Sequence, residues 1–433
     1  MSDRAIAEQA RDALHRHVLA PLVPCCIDHE FGGFLVGLDE AWRPVGRQNK
    51  SLEHVTRTTL AFAQLDRALP GKGYDQLVRH GCAFLQQAMW DEAHGGFFAR
   101  VDRGGRPLWA GLKHPHAVNY AARAFLAAAG CLAPGEGRAW AERALAWLDD
   151  VAWDDTHGGY WGVYRRDNTP YPEGARLPTP DGRDIFGITP GFKEINTQGD
   201  AIEMLTEFSR ARHEFGGSRS ADRLGRLVEL VVERLIDPGG VIPYLYRRDW
   251  RPAADLTRVG YQFQMARHLM HARGAMPGRE EPVLKACELV DFCLHSARHP
   301  HGGFCMAVGA DGRTWPATGP ASDLRQWWVQ VEAVYTLHLL AHEESIDRER
   351  RTRYGEARDE QWRFTRDTFF DDRYGGVREV PLEPMRWWVP LRRASRRRKS
   401  HCWKDVSHEV GTFLALIRSP ERAGLPADQG RMP

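Results

Sequence analysis

Apolar residues along the chain fall into two alternating helical patterns. In one, a narrow stripe recurs at helical spacing among charged residues; Leu224, Leu227, Val228, Val231 and Leu235 share one such face. In the other, apolar residues run nearly all round and polar ones gather at the start, as in SLEHVTRTTLAFAQL from Ser51 and DLRQWWVQVEAVYTLHLL from Asp323. A helix that is apolar all round is buried inside a protein, whereas a striped one faces solvent on its other side. Striped helices are expected near residues 3–20, 74–89, 136–151, 219–236, 282–297 and 349–368. Apolar ones are expected near 51–69, 114–133, 196–215, 258–274, 323–342 and 404–418.

Each striped helix leads into a paired glycine, with first members Gly32, Gly95, Gly158, Gly239, Gly302 and Gly375. An acidic or His-bearing turn precedes the pair, and an alternating aromatic run follows it, as in DDTHGGYWGVYRRDNTP. Glycine supplies positive φ without steric cost and alternation marks a short strand, so each unit reads as a small hairpin. Six copies of one unit make an internal repeat. Alternating half-polar and apolar helices close into two concentric rings, with the apolar helices inside and their N-terminal ends at the hairpins. The pattern predicts an all-α fold, an (α/α)6 barrel with short β-hairpins at one mouth. The repeat spacings are 63, 63, 81, 63 and 73 residues; the 81-residue one carries an insertion near Arg165–Phe192, and a second insertion is expected past the last glycine pair, at Met385–Lys399. Insertions of that length are functional lids or irregular segments. Residues 1–418 are expected to form a single barrel domain and 419–433 a C-terminal tail.

Composition narrows the function classes. The 59 basic and 57 acidic residues leave a formal net charge of +2, which argues against a nucleic-acid surface. Hydrophobic residues at 42% and a mean hydropathy of −0.50 are those of an ordinary globular chain. No run approaches the ~20 apolar residues of a spanning helix, and charges scattered through MSDRAIAEQARDALHRHV argue against a secretory signal. The eight cysteines contain no CxxC pair, so buried thiols in a reducing, cytoplasmic setting are expected. The aromatic load of 15 Trp, 18 Phe and 11 Tyr sits largely beside polar residues, as sugar-stacking surfaces often do.

The first two turns of each inner helix should supply the site. They hold Arg57; Lys113, His114, His116 and Asn119; Asn196, Gln198, Asp200 and Glu203; Tyr261, Gln262 and Gln264; Trp327, Trp328, Gln330 and Glu332; and Lys404 and His408. Polar groups that interrupt apolar faces at one mouth form a candidate binding site.

At KSLEHVTRTTLAFA, KEINTQGDAIEML, QWWVQVEAVYTL and WKDVSHEVGTFLAL the chain resembles the N-acylglucosamine 2-epimerase superfamily, over nearly its whole length. The resemblance implies an (α/α)6 barrel without an organic cofactor. The implied chemistry is proton transfer at the carbon beside an open-chain sugar carbonyl, with a pair of histidines as acid and base. By position, His408 matches a catalytic histidine and Arg57 the arginine that polarises sugar oxygens. Trp327 and Glu332 match a stacking tryptophan and a carboxylate position, and Asn196 and Glu203 match the ends of the third-helix motif. The fourth inner helix departs from the usual Gly-His-x-x-Glu, reading Gly260, Tyr261, Gln262, Phe263, Gln264. The third carries Gln198 and Asp200 where histidines are usual, so one histidine of the pair is missing.

A base near neutral pKa suits His408, while tyrosine is a poor base and a good donor. One base returning a proton to the adjacent carbon performs aldose–ketose isomerisation, which is therefore favoured. Epimerisation needs a group on the opposite face, for which Tyr261 and Asp200 are candidates. The expected catalytic residues are His408, Arg57 and Tyr261, with Asn196, Asp200, Glu203, Gln264, Trp327, Glu332, Lys404 and His116 binding the sugar. Several have a plainer alternative: His408 as a core histidine, Arg57 paired with Glu53 or Glu332, Tyr261 as a core or lining aromatic, Asp200 and Glu203 in a salt-bridge network, Asn196 as a helix cap, Trp327 as core packing. No metal is expected, since neither HPH pair (His114/His116, His299/His301) has a third ligand. The basic run Arg392–Lys399 reads as a solvated loop, or as an attractor for an anionic substrate. A carbohydrate is the expected partner, with neither nucleic acid nor membrane, and a homodimer is entertained. Two other readings compete: an (α/α)6 glycoside hydrolase or lyase using Asp200, Glu203 and Glu332, and a non-catalytic sugar-binding derivative.

Overall fold

The computed structural model describes residues 1–211, 218–276, 278–313, 324–381 and 398–422. Among these, twelve long helices alternate as expected. The outer set is α1 (Asp3–Leu14), α3 (Tyr74–Phe84), α5 (Glu136–Trp147), α7 (Ser218–Leu230), α9 (Glu281–Ser296) and α11 (Arg348–Phe369). The inner set is α2 (Leu52–Ala68), α4 (Pro115–Ala127), α6 (Ile195–Arg210), α8 (Val259–Arg273), α10 (Trp327–Ala341) and α12 (Ser407–Arg422). Each inner helix packs on the next and α12 packs on α2, closing the inner ring. Each outer helix lies against an inner one, with α1 against α12, so the chain's two ends complete the (α/α)6 barrel.

The stripe on α7 is buried as the pattern required: Leu224, Leu227, Val228, Val231 and Leu235 are all 2% exposed or less. α1, α3, α5 and α7 each run into one π turn, at residues 15–19, 85–89, 148–152 and 231–235, which periodicity alone did not indicate. α12 begins at Ser407 rather than 404 and its backbone continues to Arg422, so the helix enters the expected tail. Residues 423–433, and most of the Met385–Lys399 insertion with Arg392–Arg397, lie outside the described residues.

The hairpins are more economical than expected. Each of five Gly-Gly loops is closed by a single bridge, such as Trp90 with Phe97 and Trp153 with Tyr160. The short strands pair between repeats instead: β1 (Lys50–Ser51) with β2 (Arg100–Val101), β3 (Phe192–Glu194) with β4 (Leu245–Arg247), and β5 (Leu256–Arg258) with β6 (Ala307–Gly309). β1, β3 and β5 run directly into inner helices, so this pairing fixes where those helices begin. Gly96 shows why the pair is glycine: its φ is +79°, and a Cβ there would sit 2.5 Å from the Trp147 indole nitrogen.

A buried ammonium pins each of four loops. Lys50, Lys113, Lys193 and Lys399 reach Asp28, Asp91, Asp154 and Asp371 at 3.0, 3.1, 2.9 and 2.6 Å, and each also donates to the carbonyl of the loop's first glycine. An arginine of a following turn, Arg103, Arg166, Arg248 or Arg378, shares each carboxylate. Lys113 is therefore a structural pin rather than a site residue. Lys399 belongs to the core rather than to a solvated basic run, at 4% exposure. Inner-helix amides anchor the same loops: Gln198 bonds Tyr160 N and O at 2.9 and 2.7 Å, and Gln330 does the same to Phe304. Gln198 is thus also taken out of the site.

Candidate active site

The inner helices bring most of the expected residues to one end of the barrel. His408, in the first turn of α12, places Nδ1 2.7 Å from Glu332 Oε1 on α10. Burial would raise the Glu332 pKa, but the Arg267 guanidinium and His408 hold it down at about 2. An ionised Glu332 accepts a hydrogen bond from Nδ1–H of His408, and in the neutral imidazole that arrangement leaves the lone pair a base needs on Nε2. The imidazole lies between Trp327 and Trp328, with ring centroids at 6.3 and 5.9 Å. Trp328 also meets the Tyr261 ring at 5.5 Å, so Tyr261 and His408 flank one tryptophan. Burial pushes the Tyr261 hydroxyl up to about 12, keeping it a neutral donor.

Charges that periodicity does not connect tie the inner helices together. Arg267 on α8 bonds Glu332 at 3.1 Å and Glu203 on α6 at 2.6 Å; Arg123 on α4 bonds Glu203 at 3.1 Å. His268 Nδ1 lies 3.2 Å from the same Glu203. Glu203 therefore belongs to an internal ion network, the plainer of its two expected readings. Asp200, Glu203 and His268 come close enough together to share a cation. The donor set speaks against one: Arg123 and Arg267 already occupy the Glu203 oxygens, while Tyr120 donates to Asp200 at 2.8 Å and His116 lies 3.0 Å from it.

His116 is fully buried in the first turn of α4. Its Nε2 lies 3.0 Å from Asp200 Oδ2 and 2.8 Å from Asn196 Nδ2. Asn196 is not the helix cap; Glu194 is, accepting from the backbone of Asn196 and Thr197. Burial would drive the imidazolium toward neutrality, yet Asp200 and Glu53 outweigh it and raise His116 to about 9. Arg57 pairs with neither Glu53 nor Glu332. Its guanidinium covers the Tyr120 ring at 4.4 Å and comes within 4.0 Å of Asp405. Lys404 is buried over the Trp327 ring at 4.7 Å, 3.8 Å from Glu409. Gln264 is buried on α8. His114 caps the helix, its Nδ1 accepting from the His116 amide.

The Arg165–Phe192 insertion is ordered over the mouth. Leu177 and Ile185 pack with Ala99, Leu112 and Val163, and Phe186 lies 4.7 Å from the His116 ring and stacks on Trp403 at 5.4 Å. Beside it a cavity of about 270 Å³ opens, lined by Glu53, Arg100, Trp109, Asp184, Cys402 and Trp403 among others. Phe186, Trp403, Glu53, Tyr120, Arg123, Arg267 and His268 were not among the expected site residues. A charge inside an otherwise apolar helix, as at Arg123 and Arg267, was the signal available for two of them; Phe186 carried none.

A family model described as N-acylglucosamine 2-epimerase matches residues 32–174 and 210–379. Among solved structures, the cellobiose 2-epimerase of Bacillus thermoamylovorans B4167 superposes with a TM-score of 0.80 at 17% identity, covering 96% of this chain and 99% of that one. That of Spirochaeta thermophila DSM 6192 gives 0.79 at 21%, over 97% and 98%. A D-mannose isomerase gives 0.76 at 18%, over 96% and 97%. At these identities the superpositions speak for the fold.

Proposed function

The chain belongs to the N-acylglucosamine 2-epimerase family, a family of sugar epimerases and isomerases, and from that premise we propose that it is a cofactor-independent aldose–ketose isomerase. The observation that carries the reading is the His408–Glu332 contact at 2.7 Å, a carboxylate-oriented imidazole between two tryptophans at the barrel mouth. His408 Nε2 takes the proton from the carbon beside the carbonyl of an open-chain sugar. The electron pair moves into the C1–C2 bond, and the carbonyl oxygen becomes an enediolate held by donors such as Arg57 and Tyr261. The same base returns the proton to the neighbouring carbon, giving the ketose. The similarity to a D-mannose isomerase and to cellobiose 2-epimerases supports a neutral sugar as substrate.

Hydrolysis is the weaker reading, because it needs a carboxyl that stays protonated to serve as general acid. Asp200 and Glu332 are both held at about 2 by histidine and arginine partners. Of the carboxyls that burial does push up, Glu194 serves as a helix cap, Glu409 lies against Lys404, and Asp149 accepts from Tyr160 in the π turn after α5. Incubating the protein with D-mannose, D-glucose and cellobiose in D2O, and following carbons one and two by NMR, tests the proposal. Ketose formation with less than full deuterium incorporation is expected of a single shuttling base. A 2-epimer formed with complete exchange would require a second base on carbon, and oligosaccharide cleavage without exchange would replace the proposal with hydrolysis.

A further inference from the structure

We infer that His116, held by Asp200, is a second catalytic histidine, which moves the proton between the two substrate oxygens while His408 moves the one on carbon. The inference rests on the isomerase reading above and assigns the acid–base group that reading leaves open.

Buried polar atoms around His116 that lack any hydrogen-bond partner include His116 Nδ1, Asp200 Oδ2, Glu53 Oε1 and Arg57 Nε. His116 Nδ1 and Glu53 Oε1 stand 3.7 Å apart, and Glu53 and Arg57 are one turn apart on α2. Folded proteins pair almost all such atoms, so unpaired donors beside an unpaired acceptor mark a place built for a ligand with both oxygen acceptors and hydroxyl donors. Glu53, and Trp403 beside the His116 ring, also line the cavity at the mouth. One short segment joins it to the base. Trp403 lies 6.1 Å from the His116 ring, the next residue, Lys404, covers Trp327, and Trp327 lies 6.3 Å from His408.

The chemistry balances with these groups alone. As His408 removes the C2 proton, the C=O π pair moves to O1, which takes the Nδ1 proton of the His116 imidazolium; the product is a neutral enediol. Neutral His116, its Nε2–H facing Asp200 and the Asn196 side-chain amide turned to present its oxygen to it, then takes the O2 hydroxyl proton at Nδ1 as C2=O2 forms and C1 recovers the proton from His408. His116 ends as the imidazolium it began as. Asp200 is a positioning residue in this scheme, since it acts on the sugar only through His116. The charged and titratable groups facing His116 are Asp200, Glu53, Arg57, Glu194 and His114, with Asn196, Tyr120, Phe186 and Trp403 as further neighbours.

The test compares wild type, His116→Asn and Asp200→Asn on D-mannose, D-glucose and cellobiose, with circular dichroism and Tm as controls for folding. His116→Asn is expected to lower kcat by ~10²–10⁴-fold with KM little changed. In the wild type kcat should fall on the alkaline side as His116 deprotonates, at about 9. Asp200→Asn should move that limb down toward the ordinary imidazole value of ~6.5, a displacement that a packing role would not produce. A folded His116→Asn protein that works near the wild-type rate overturns the inference. If that variant unfolds, the alkaline limb decides: one absent from the wild type, or unmoved in Asp200→Asn, overturns it equally. Wild-type protein that exchanges no deuterium into any of the three sugars instead removes the isomerase reading, and the inference with it.

Discussion

Two buried charge clusters in this barrel look alike in sequence and differ in what they leave undone. At the third Gly-Gly loop, Lys193 meets Asp154 at 2.9 Å, the Gly158 carbonyl takes a second ammonium proton, and Arg248 covers the carboxylate with two further bonds. Among the charged atoms of that cluster none is left without a partner. At the mouth, His116 meets Asp200 at 3.0 Å, yet His116 Nδ1, Asp200 Oδ2, Glu53 Oε1 and Arg57 Nε remain without hydrogen bonds. The Lys193–Asp154 pair is as buried as His116 and Asp200, so burial does not distinguish structure from function here. Completeness does: a closed set of donors and acceptors holds the chain, and an open one is free to hold something else.

The comparison can be broken most sharply at His408. His408→Asn should cost ~10²–10⁴-fold in kcat, the usual contribution of a positioned base, while Tm stays near the wild-type value. A variant that unfolds, or that keeps full activity, would return His408 to the core.

Lys193→Met should do the reverse. Removing one partner of a buried pair costs about 3–5 kcal/mol, so a large loss of stability in denaturant titration is expected, with kcat per folded molecule unchanged. Asp154 adds a pH signature. Lysine and arginine partners overcome the effect of burial and hold its carboxyl at about 2, below its ordinary value of 3.8. A depressed folded-state pKa gives stability that is present above pH 3.8 and lost as pH falls through 2. Asp154→Asn should flatten the acid limb of a Tm–pH curve; an unchanged limb would mean that the pin contributes little.

The smallest effect is expected at Tyr261. Tyr261→Phe removes only a hydroxyl from a half-buried ring against Trp328, so Tm should hold and kcat should fall by less than in His116→Asn. A loss as large as that of His408→Asn would make Tyr261, rather than His116, the principal oxygen-side donor.

The sequence by itself determined the architecture. Six Gly-Gly units and two alternating helical patterns identify twelve helices and their ring order, because the repeat and the period of 3.6 are properties of the chain alone. His408, Glu332 and Arg57 were legible for the same reason, as polar residues at the starts of apolar helices. The tertiary structure alone decided which polar residues are finished. Lys113 and Gln198 stood among the site candidates until Asp91 and Tyr160, brought in from neighbouring loops, were seen to complete them. His116 gained its role from Asp200, 84 positions along the chain, and its cover from Phe186 in an insertion with no periodic pattern. Periodicity reports the face a residue presents; the partner that satisfies its hydrogen bonds lies on another element, at a distance along the chain that no local pattern encodes.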